Sequence, residues 1–279
     1  MRITTGGVTD MGRVRTNNED CYKIVEPLQL FVLSDGMGGE AHGEIASAMA
    51  VETVVKHCLD VETNPAARVI GRVDPNWSAR TKRLSTAVHL ANKNIFKSAE
   101  ENPDRHGMGA TLTAVWIDDA KLSIAHVGDS RAYLLRSGSL LQLTRDHSLV
   151  AEQVRRGILT AAEAEESEMQ SVLLRALGAQ AEIEVDAEEH TLFPRDILLL
   201  CSDGLTRVVT EPEIAGTLQA ETDAARASEK LVALANERGG PDNISVVTVR
   251  LEKESKGWFS WLRRGSGKNL GSNGSVGGK

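Results

Sequence analysis

Short apolar segments recur along the chain and predict β-strands. Most of them combine branched or aromatic side chains and are bounded by polar or glycine-containing turns, which is typical of strands. Between residues 117 and 143 the turns are short enough for hairpins, and this favours antiparallel pairing. The predicted strands cover residues 30–35, 110–117, 121–127, 131–136, 196–203 and 243–251.

Longer segments, in which apolar residues repeat with the helical period, predict α-helices. They cover residues 42–60, 79–101, 147–157 and 223–237, and proline-containing loops are predicted at 61–78 and 102–108. Strands and helices do not alternate regularly, so a doubly wound parallel sheet is disfavoured. An α+β fold, with a sheet-rich core and helices outside it, fits the order of the elements better.

Charge divides the chain of 279 residues, whose net charge is −7, into two unequal parts. Residues 253–279 hold six Lys and Arg but one Glu, whereas residues 1–252 hold 26 basic and 38 acidic side chains. The C-terminal part is also rich in Gly and Ser. We therefore predict one domain over residues 1–252 and a flexible basic tail over residues 253–279. Trp258 and Trp261 in the tail leave open a contact with an anionic membrane surface.

The composition excludes several classes of protein. Hydrophobic residues make up 41% and charged residues 25%, which is ordinary for a globular domain. No apolar run approaches the roughly 18 residues of a spanning helix, and the N-terminus lacks the apolar region of a signal peptide. We therefore expect a cytoplasmic protein without a membrane span. The acidic balance disfavours nucleic acid as a partner, and three separated cysteines predict neither disulfides nor a zinc site.

Aspartates stand at the ends of apolar strands, where a sheet can hold a carboxylate that faces a cleft. Asp35 and Asp203 each lie between an apolar run and a glycine. Asp129 follows IAHVG, Asp242 precedes the last strand, and Asp20 ends the polar run TNNED. Carboxylates close together repel each other unless a cation neutralises them, and oxygen ligands suit Mg²⁺ or Mn²⁺. Asp-Gly pairs also form ordinary turns, so the aspartates alone leave both interpretations open.

Seven sequence motifs, taken in their order along the chain, favour the metal site over ordinary turns. They are TDMGRVRTNNEDCY, LFVLSDGMGGEAHGEIAS, GMGATLTAV, IAHVGDSRAYLLRSGSLLQLTRDHS, LLRALG, DILLLCSDGLTRVV and GGPDNISVVTV. From Thr5 to Leu251 the series resembles the metal-dependent protein phosphatase family (PPM, the type 2C serine/threonine phosphatases), above all its bacterial members. The resemblance implies two packed antiparallel β-sheets, a β-sandwich flanked by helices, with a metal centre at one end between the sheets.

The resemblance also assigns ligands to a pair of metal ions. Asp35 would bridge the two ions, and Gly36 would offer its backbone carbonyl to one of them. Asp203 and Asp242 would complete the other. Such a pair turns a shared water into a nucleophile and clamps the phosphoryl oxygens, so no nucleophilic side chain is needed.

Further residues receive roles from the same resemblance. Asp20 would hold metal-bound water, and Asp129 would join Asp203 in a third, weaker metal site. Arg15 would bind the substrate phosphate, since its guanidinium donates two charge-assisted hydrogen bonds. Residues from about 147 to 177 would include a mobile flap beside the cleft.

One departure from the family concerns the proton that the leaving alkoxide needs. Many bacterial relatives have histidine after DGMGG, where this chain has Glu40, and His42 lies two residues further on. The source of the proton stays open among metal-bound water, His42 and a protonated Glu40.

The resemblance implies a protein phosphatase that hydrolyses phosphoserine and phosphothreonine with a metal-activated water. It would use two Mn²⁺ or Mg²⁺ ions per active site, with a third, weaker ion, and act on phosphorylated proteins beside a cognate serine/threonine kinase. One alternative is a phosphatase-like module that binds phosphoproteins without hydrolysis, but none of Asp35, Asp203 and Asp242 is missing. The other alternative, a phosphoesterase for a small metabolite, is not distinguished by the sequence.

Overall fold

The structure, a computed structural model, describes residues 1–38, 42–64, 69–71 and 74–253. Glu40 lies outside the described residues, as does the predicted tail beyond Lys253 with Trp258 and Trp261. The domain boundary after residue 252 therefore stays a prediction. Among the helices of the described ranges, none is long and apolar enough to cross a membrane.

Two antiparallel sheets form the centre of the fold. The first runs, in spatial order, through β1 (Arg2–Asp10), β11 (Ile244–Glu252), β10 (Ile197–Cys201), β7 (Arg131–Arg136) and β8 (Ser139–Gln142). The second runs through β2 (Asp20–Val25), β3 (Leu30–Met37), β5 (Leu112–Asp118), β6 (Lys121–Val127) and β9 (Asp186–Thr191), and the short β4 (Gly109–Ala110) pairs with the end of β3. The predicted α+β sandwich is confirmed.

Helices cover the outer faces of both sheets. Against the second sheet pack α1 (Gly43–Thr63) and α2 (Ala79–Glu101), and against the first sheet pack α6 (Glu211–Ala220) and α7 (Ala224–Glu237). Three short helices, α3 (Leu149–Arg155), α4 (Ala161–Glu165) and α5 (Asp203–Thr206), lie in connections between strands.

Alternation along the strands builds three apolar layers. In β3, Leu30 and Val32 face the helices α1 and α2, whereas Phe31 and Leu33 face the first sheet. The side chains of Leu200 and Val247 reach the central layer from the opposite sheet. Because successive strand residues point to opposite faces, a continuous apolar run fits a strand that is covered on both sides.

All six strands predicted from apolar runs are present. The strands that were not predicted include the four that lie at the edges of the two sheets. These edge strands are β1, β8, β2 and β9. Strand β9, with the sequence DAEEHT, shows the reason, because an edge strand has less apolar surface to bury and carries charged side chains. The helix α6 is also missed.

Some predicted boundaries are wrong for local reasons. The predicted strand 196–203 ends at Cys201, because Asp203 begins α5 instead. The predicted strand 110–117 is divided at Thr111, which leaves the β5 ladder and donates its backbone N–H to the Asp35 carbonyl at 2.8 Å. The predicted helix 147–157 begins at Leu149, because the Ser148 side chain caps it.

Candidate metal centre

Five aspartates converge at one end of the sandwich. Asp20, the first residue of β2, is paired directly with Asp35 across the β2–β3 ladder. Asp129 lies in the turn before β7, Asp203 follows β10, and Asp242 precedes β11. Because β7, β10 and β11 are neighbours in one antiparallel sheet, these three positions lie at the same end of it.

A hydroxyl group joins the two sheets at this end. The Ser202 side chain donates to Oδ2 of Asp20 at 2.8 Å and accepts from the Ser245 backbone N–H at 2.9 Å. Among the residues that the structure describes, Oδ1 of Asp20 and Oδ1 of Asp203 are buried without a hydrogen-bond partner. A buried polar atom without a partner is costly, so both oxygens are candidate cation ligands.

Burial and mutual repulsion raise the pKa of these carboxyl groups. Burial is the main cause throughout, and it raises the pKa of Asp20 to about 7 and that of Asp129 to about 8. The pKa of Asp35 lies well above its usual range because of burial, and then because Asp20 and Asp203 are close. Burial also raises the pKa of Asp203. A divalent cation at this position favours the ionised forms.

The raised pKa values predict that the stability of the protein in a chelating buffer falls as the pH rises. A carboxyl group whose folded pKa exceeds its unfolded pKa stabilises the fold fully below the unfolded pKa, and this contribution is lost as the pH rises through the folded pKa. For Asp20 and Asp129 the loss extends to about pH 7 and about pH 8.

We therefore expect the melting temperature to fall as the pH rises from the ordinary aspartate pKa of about 4 to about pH 8, with the part between roughly pH 7 and pH 8 lying above the ordinary pKa of histidine. The measurement is calorimetry of the protein in EDTA at several pH values, with Asp20→Asn as the comparison. The asparagine variant should show a smaller fall. A melting temperature that stays flat or rises in the wild-type protein would contradict the assignment.

Two arginines contact the carboxylates. Arg15 Nη2 lies 2.9 Å from Oδ2 of Asp242, and Arg207 Nη1 lies 3.3 Å from the same oxygen. Arg207 also forms an ion pair with Asp203 through Nη2. The sequence analysis places Arg15 here but misses Arg207. Its position four residues after Asp203, one helical turn away, is the signal that could have found it.

A buried amide holds the segment that carries Arg15. The Asn243 side chain accepts from the Glu19 backbone N–H at 2.8 Å and donates to the carbonyls of Met11, at 2.9 Å, and Asn17, at 2.8 Å. It thereby joins the segment between β1 and β2 to the start of β11. This asparagine ends the motif GGPDN, and no role was predicted for it from the sequence.

Glycine at position 36 is required by close packing. A side-chain carbon at Gly36 would stand 2.0 Å from the Gly43 carbonyl oxygen and 2.7 Å from that of Glu19. The Gly36 backbone N–H donates to the Glu19 carbonyl at 3.0 Å. The close approach of Gly36 to Gly43 brings the start of α1 against the end of β3, beside Asp35. The role of the Gly36 carbonyl as a ligand stays a prediction.

The predicted flap is anchored beside the aspartates by His147. Its backbone N–H donates to the Gly128 carbonyl at 2.8 Å, its Nδ1 accepts from the Gly128 N–H at 3.1 Å, and its Nε2 lies 3.2 Å from Asp186. The far end of the flap is held by the Ala110–Leu177 bridge. The flap segment therefore begins next to Asp129 and ends next to the β3–β4 pair.

One candidate proton donor, His42, lies at the start of α1. His42 precedes this helix with a left-handed backbone (φ 93°), and its Nδ1 is buried without a hydrogen-bond partner among the described residues. Glu40 is not described. The identity of the general acid therefore stays a prediction.

The donor set fits hard divalent cations. Among the residues that the structure describes, no group of three or more His, Cys, Asp or Glu side chains is arranged to hold an ion. Arginines pair with Asp203 and Asp242 in this conformation. Two buried carboxylate oxygens nevertheless lack partners, and the surrounding carboxyl groups repel one another. Carboxylate oxygens are the ligands that Mg²⁺ and Mn²⁺ prefer.

Comparisons with known proteins agree with this arrangement. The family model described as Protein phosphatase 2C matches residues 13–240. The serine/threonine phosphatase stp of Listeria welshimeri is 37% identical over 252 residues, which are 89% of this chain and 96% of that protein. The crystal structure of the Mycobacterium tuberculosis serine/threonine phosphatase PstP/Ppp has a TM-score of 0.79 at 35% identity, over 90% of this chain and 99% of that chain.

A second solved structure holds metal. It is the catalytic domain of the serine/threonine protein phosphatase PstP in complex with two manganese ions, with a TM-score of 0.77 at 34% identity, over 90% of this chain and 99% of that chain. The family match includes four of the five aspartates and stops two residues before Asp242. Because the architecture, the family match and the relatives all agree with the seven sequence motifs, the chain belongs to the protein phosphatase 2C family.

Proposed function

We propose that this protein is a metal-dependent serine/threonine phosphatase that hydrolyses phosphoserine and phosphothreonine in proteins. The observation that carries the proposal is the convergence of five aspartates at one end of the sandwich, with Arg15 at the rim. Relatives named serine/threonine phosphatase, at 36–37% identity over most of the chain, support the same activity. A relative in complex with two manganese ions supports Mn²⁺ or Mg²⁺ as the cofactor.

Asp35, Asp203, Asp242 and the Gly36 carbonyl would hold the paired ions. When bound, two such ions lower the pKa of a water and polarise the phosphoryl group. Asp35 is central because it is the direct cross-strand partner of Asp20. Its carboxyl group also interacts electrostatically with Asp203 and Asp242. Its position on a sheet strand fixes its direction, which a loop would not do as well.

The other predicted residues surround this centre. Asp20, held by Ser202, would orient water at the ions, and Asp129 with Asp203 would hold a third, weaker ion. Arg15 would bind the substrate phosphate, because half of its side chain is exposed at the rim. We also propose that the protein acts in the cytoplasm and that a serine/threonine kinase phosphorylates its substrates.

Phosphate release from a phosphothreonine peptide tests the proposal. We expect turnover with Mn²⁺ or Mg²⁺, loss of turnover with EDTA, and much weaker hydrolysis of sugar phosphates. A preference for sugar phosphates would indicate a small-molecule phosphoesterase. Binding of the peptide without release would indicate a phosphoprotein-binding module. Either result would overturn the proposal.

Arg15→Ala is expected to weaken substrate binding while metal binding persists. Arg15 contacts no more than one oxygen of Asp242, and its charge opposes a cation there. The KM for phosphopeptide should rise about tenfold, with a smaller change in kcat if substrate and transition state bind similarly. Calorimetric Mn²⁺ titration and steady-state kinetics check this, with Arg15→Lys as the charge-conserving comparison. Loss of Mn²⁺ binding in Arg15→Ala would show that the arginine organises the centre itself.

A further inference from the structure

Arg207 directly follows the four-residue helix α5 and contacts two of the aspartates. Its backbone N–H donates to the Asp203 carbonyl at 2.9 Å, which closes one turn at the end of α5. That turn returns the guanidinium group to the Asp203 side chain, with which Nη2 forms an ion pair. Nη1 lies 3.3 Å from Oδ2 of Asp242. The guanidinium therefore spans the two carboxylates that the family resemblance assigns to one ion.

Arg15 and Arg207 contact the same oxygen atom of Asp242. Arg15 Nη2 lies 2.9 Å from the same Oδ2 of Asp242. The side chains of Arg15 and Arg207 are 51% and 26% exposed, so both guanidinium groups are partly accessible from solvent. Two guanidinium groups repel each other unless an anion lies between them. Here a carboxylate oxygen supplies that anion.

A phosphate monoester matches such a pair of groups. Each guanidinium presents parallel N–H donors, and the phosphoryl group has three terminal oxygens to accept them. When Asp203 and Asp242 bind divalent cations, their negative charge is offset and they hold the arginines less strongly. Both guanidinium groups can then turn to an incoming anion.

We infer that Arg207 is a second phosphate-binding residue, which forms a two-arginine clamp with Arg15 around the substrate phosphoryl group. The inference rests on the proposed function, because it concerns the substrate of the same centre. The competing explanation is that Arg207 serves only as a counter-ion for Asp203 and Asp242. In that case Arg207 would oppose metal binding and would not contact phosphate.

Titration of inorganic phosphate into the Mn²⁺-loaded protein separates the two explanations without any turnover. We compare the wild type with Arg207→Gln and with Arg207→Lys. The lysine variant keeps the positive charge but lacks the paired N–H donors of the guanidinium group. Arg80→Gln is a matched control, since Arg80 also lies between two carboxylates and its side chain is 23% exposed, at the opposite end of β5. Mn²⁺ affinity is measured for each variant by the same calorimetry.

We expect Arg207→Gln to weaken phosphate binding at least tenfold, while its Mn²⁺ affinity stays the same or becomes tighter. Arg207→Lys should recover part of the phosphate affinity, and Arg80→Gln should bind phosphate as the wild type does. The KM for phosphopeptide should rise in parallel with the loss of phosphate affinity.

Three results would overturn the inference. Phosphate affinity within twofold of wild type, with tighter Mn²⁺ binding, would make Arg207 a counter-ion only. Loss of Mn²⁺ binding in Arg207→Gln would make it a structural residue of the centre. Failure of the Mn²⁺-loaded wild type to bind phosphate would show that the two arginines do not form a phosphate-binding clamp. Failure of the proposed function appears separately, as absent phosphopeptide hydrolysis by a protein that still binds Mn²⁺ and phosphate.

Discussion

Asp35→Asn is expected to lower phosphopeptide hydrolysis at least a thousandfold, which corresponds to about 4 kcal/mol of activation free energy. The substitution keeps the size of the side chain but removes the charge that faces Asp20, Asp203, Asp129 and Asp242. Without that charge the centre should lose its affinity for paired ions. Steady-state kinetics and calorimetric titration with Mn²⁺ measure the two effects.

The fold of the Asp35→Asn variant should survive. Relief of repulsion in the buried cluster should even raise its melting temperature in EDTA above that of the wild type. Asp118→Asn is the control, because Asp118 is an exposed partner of Arg80 at the far end of β5 and should change neither activity nor Mn²⁺ affinity. Wild-type binding of two ions by Asp35→Asn would refute the role of Asp35.

Asn243→Ala is expected to destabilise the protein and the site together. The substitution removes three hydrogen bonds from a residue that is 5% exposed. Buried donors and acceptors left unpaired cost about 1–3 kcal/mol each, so we expect a loss of about 3 kcal/mol in the free energy of unfolding after partial relaxation. The segment that carries Arg15 and leads into Asp20 would lose its anchor.

We expect kcat/KM of Asn243→Ala to fall about a hundredfold, or roughly 2.7 kcal/mol. Urea unfolding and kinetics at a temperature where the variant stays folded check both parts. Asn243→Asp keeps the acceptor for the Glu19 N–H but sets a carboxylate oxygen against the carbonyls of Met11 and Asn17, so it should be at least as destabilised as Asn243→Ala. A stable Asn243→Ala variant with full activity would show that the segment between β1 and β2 is held by other contacts.

The interior of the fold was open to prediction because burial on both faces leaves an apolar signal in the sequence. Strands such as β10 (ILLLC) and β3 (LFVLSDGM) carry that signal in consecutive residues. The edge strands do not, because one side of each lacks a neighbouring strand. Strand β1 (RITTGGVTD) is an extreme case: a side-chain carbon at Gly6 would stand 2.3 Å from Ala225 of α7, so close packing replaces apolar side chains there.

The candidate site was predicted only in part, for a related reason. Aspartates at strand ends are visible in the sequence, and the order of motifs assigns their roles. Arg207 and Asn243 acquire their roles from contacts between segments far apart in the chain, such as Asn243 with Met11. No local pattern records the contacts of Asn243 with Met11 or of Arg207 with Asp242. The four-residue spacing between Asp203 and Arg207 is a local signal, but alone it does not distinguish a site residue from an ordinary helical ion pair.

The most direct test of the account is the position of Mn²⁺ ions, determined by anomalous diffraction from crystals of the protein soaked in MnCl₂. We expect two strong peaks that share the Asp35 carboxylate, with one near the Gly36 carbonyl and the other contacting Asp203 and Asp242. The guanidinium groups of Arg15 and Arg207 should then have left their contacts with Asp242. Manganese bound elsewhere, with both arginines still paired to Asp203 and Asp242, would contradict the assignment of the centre.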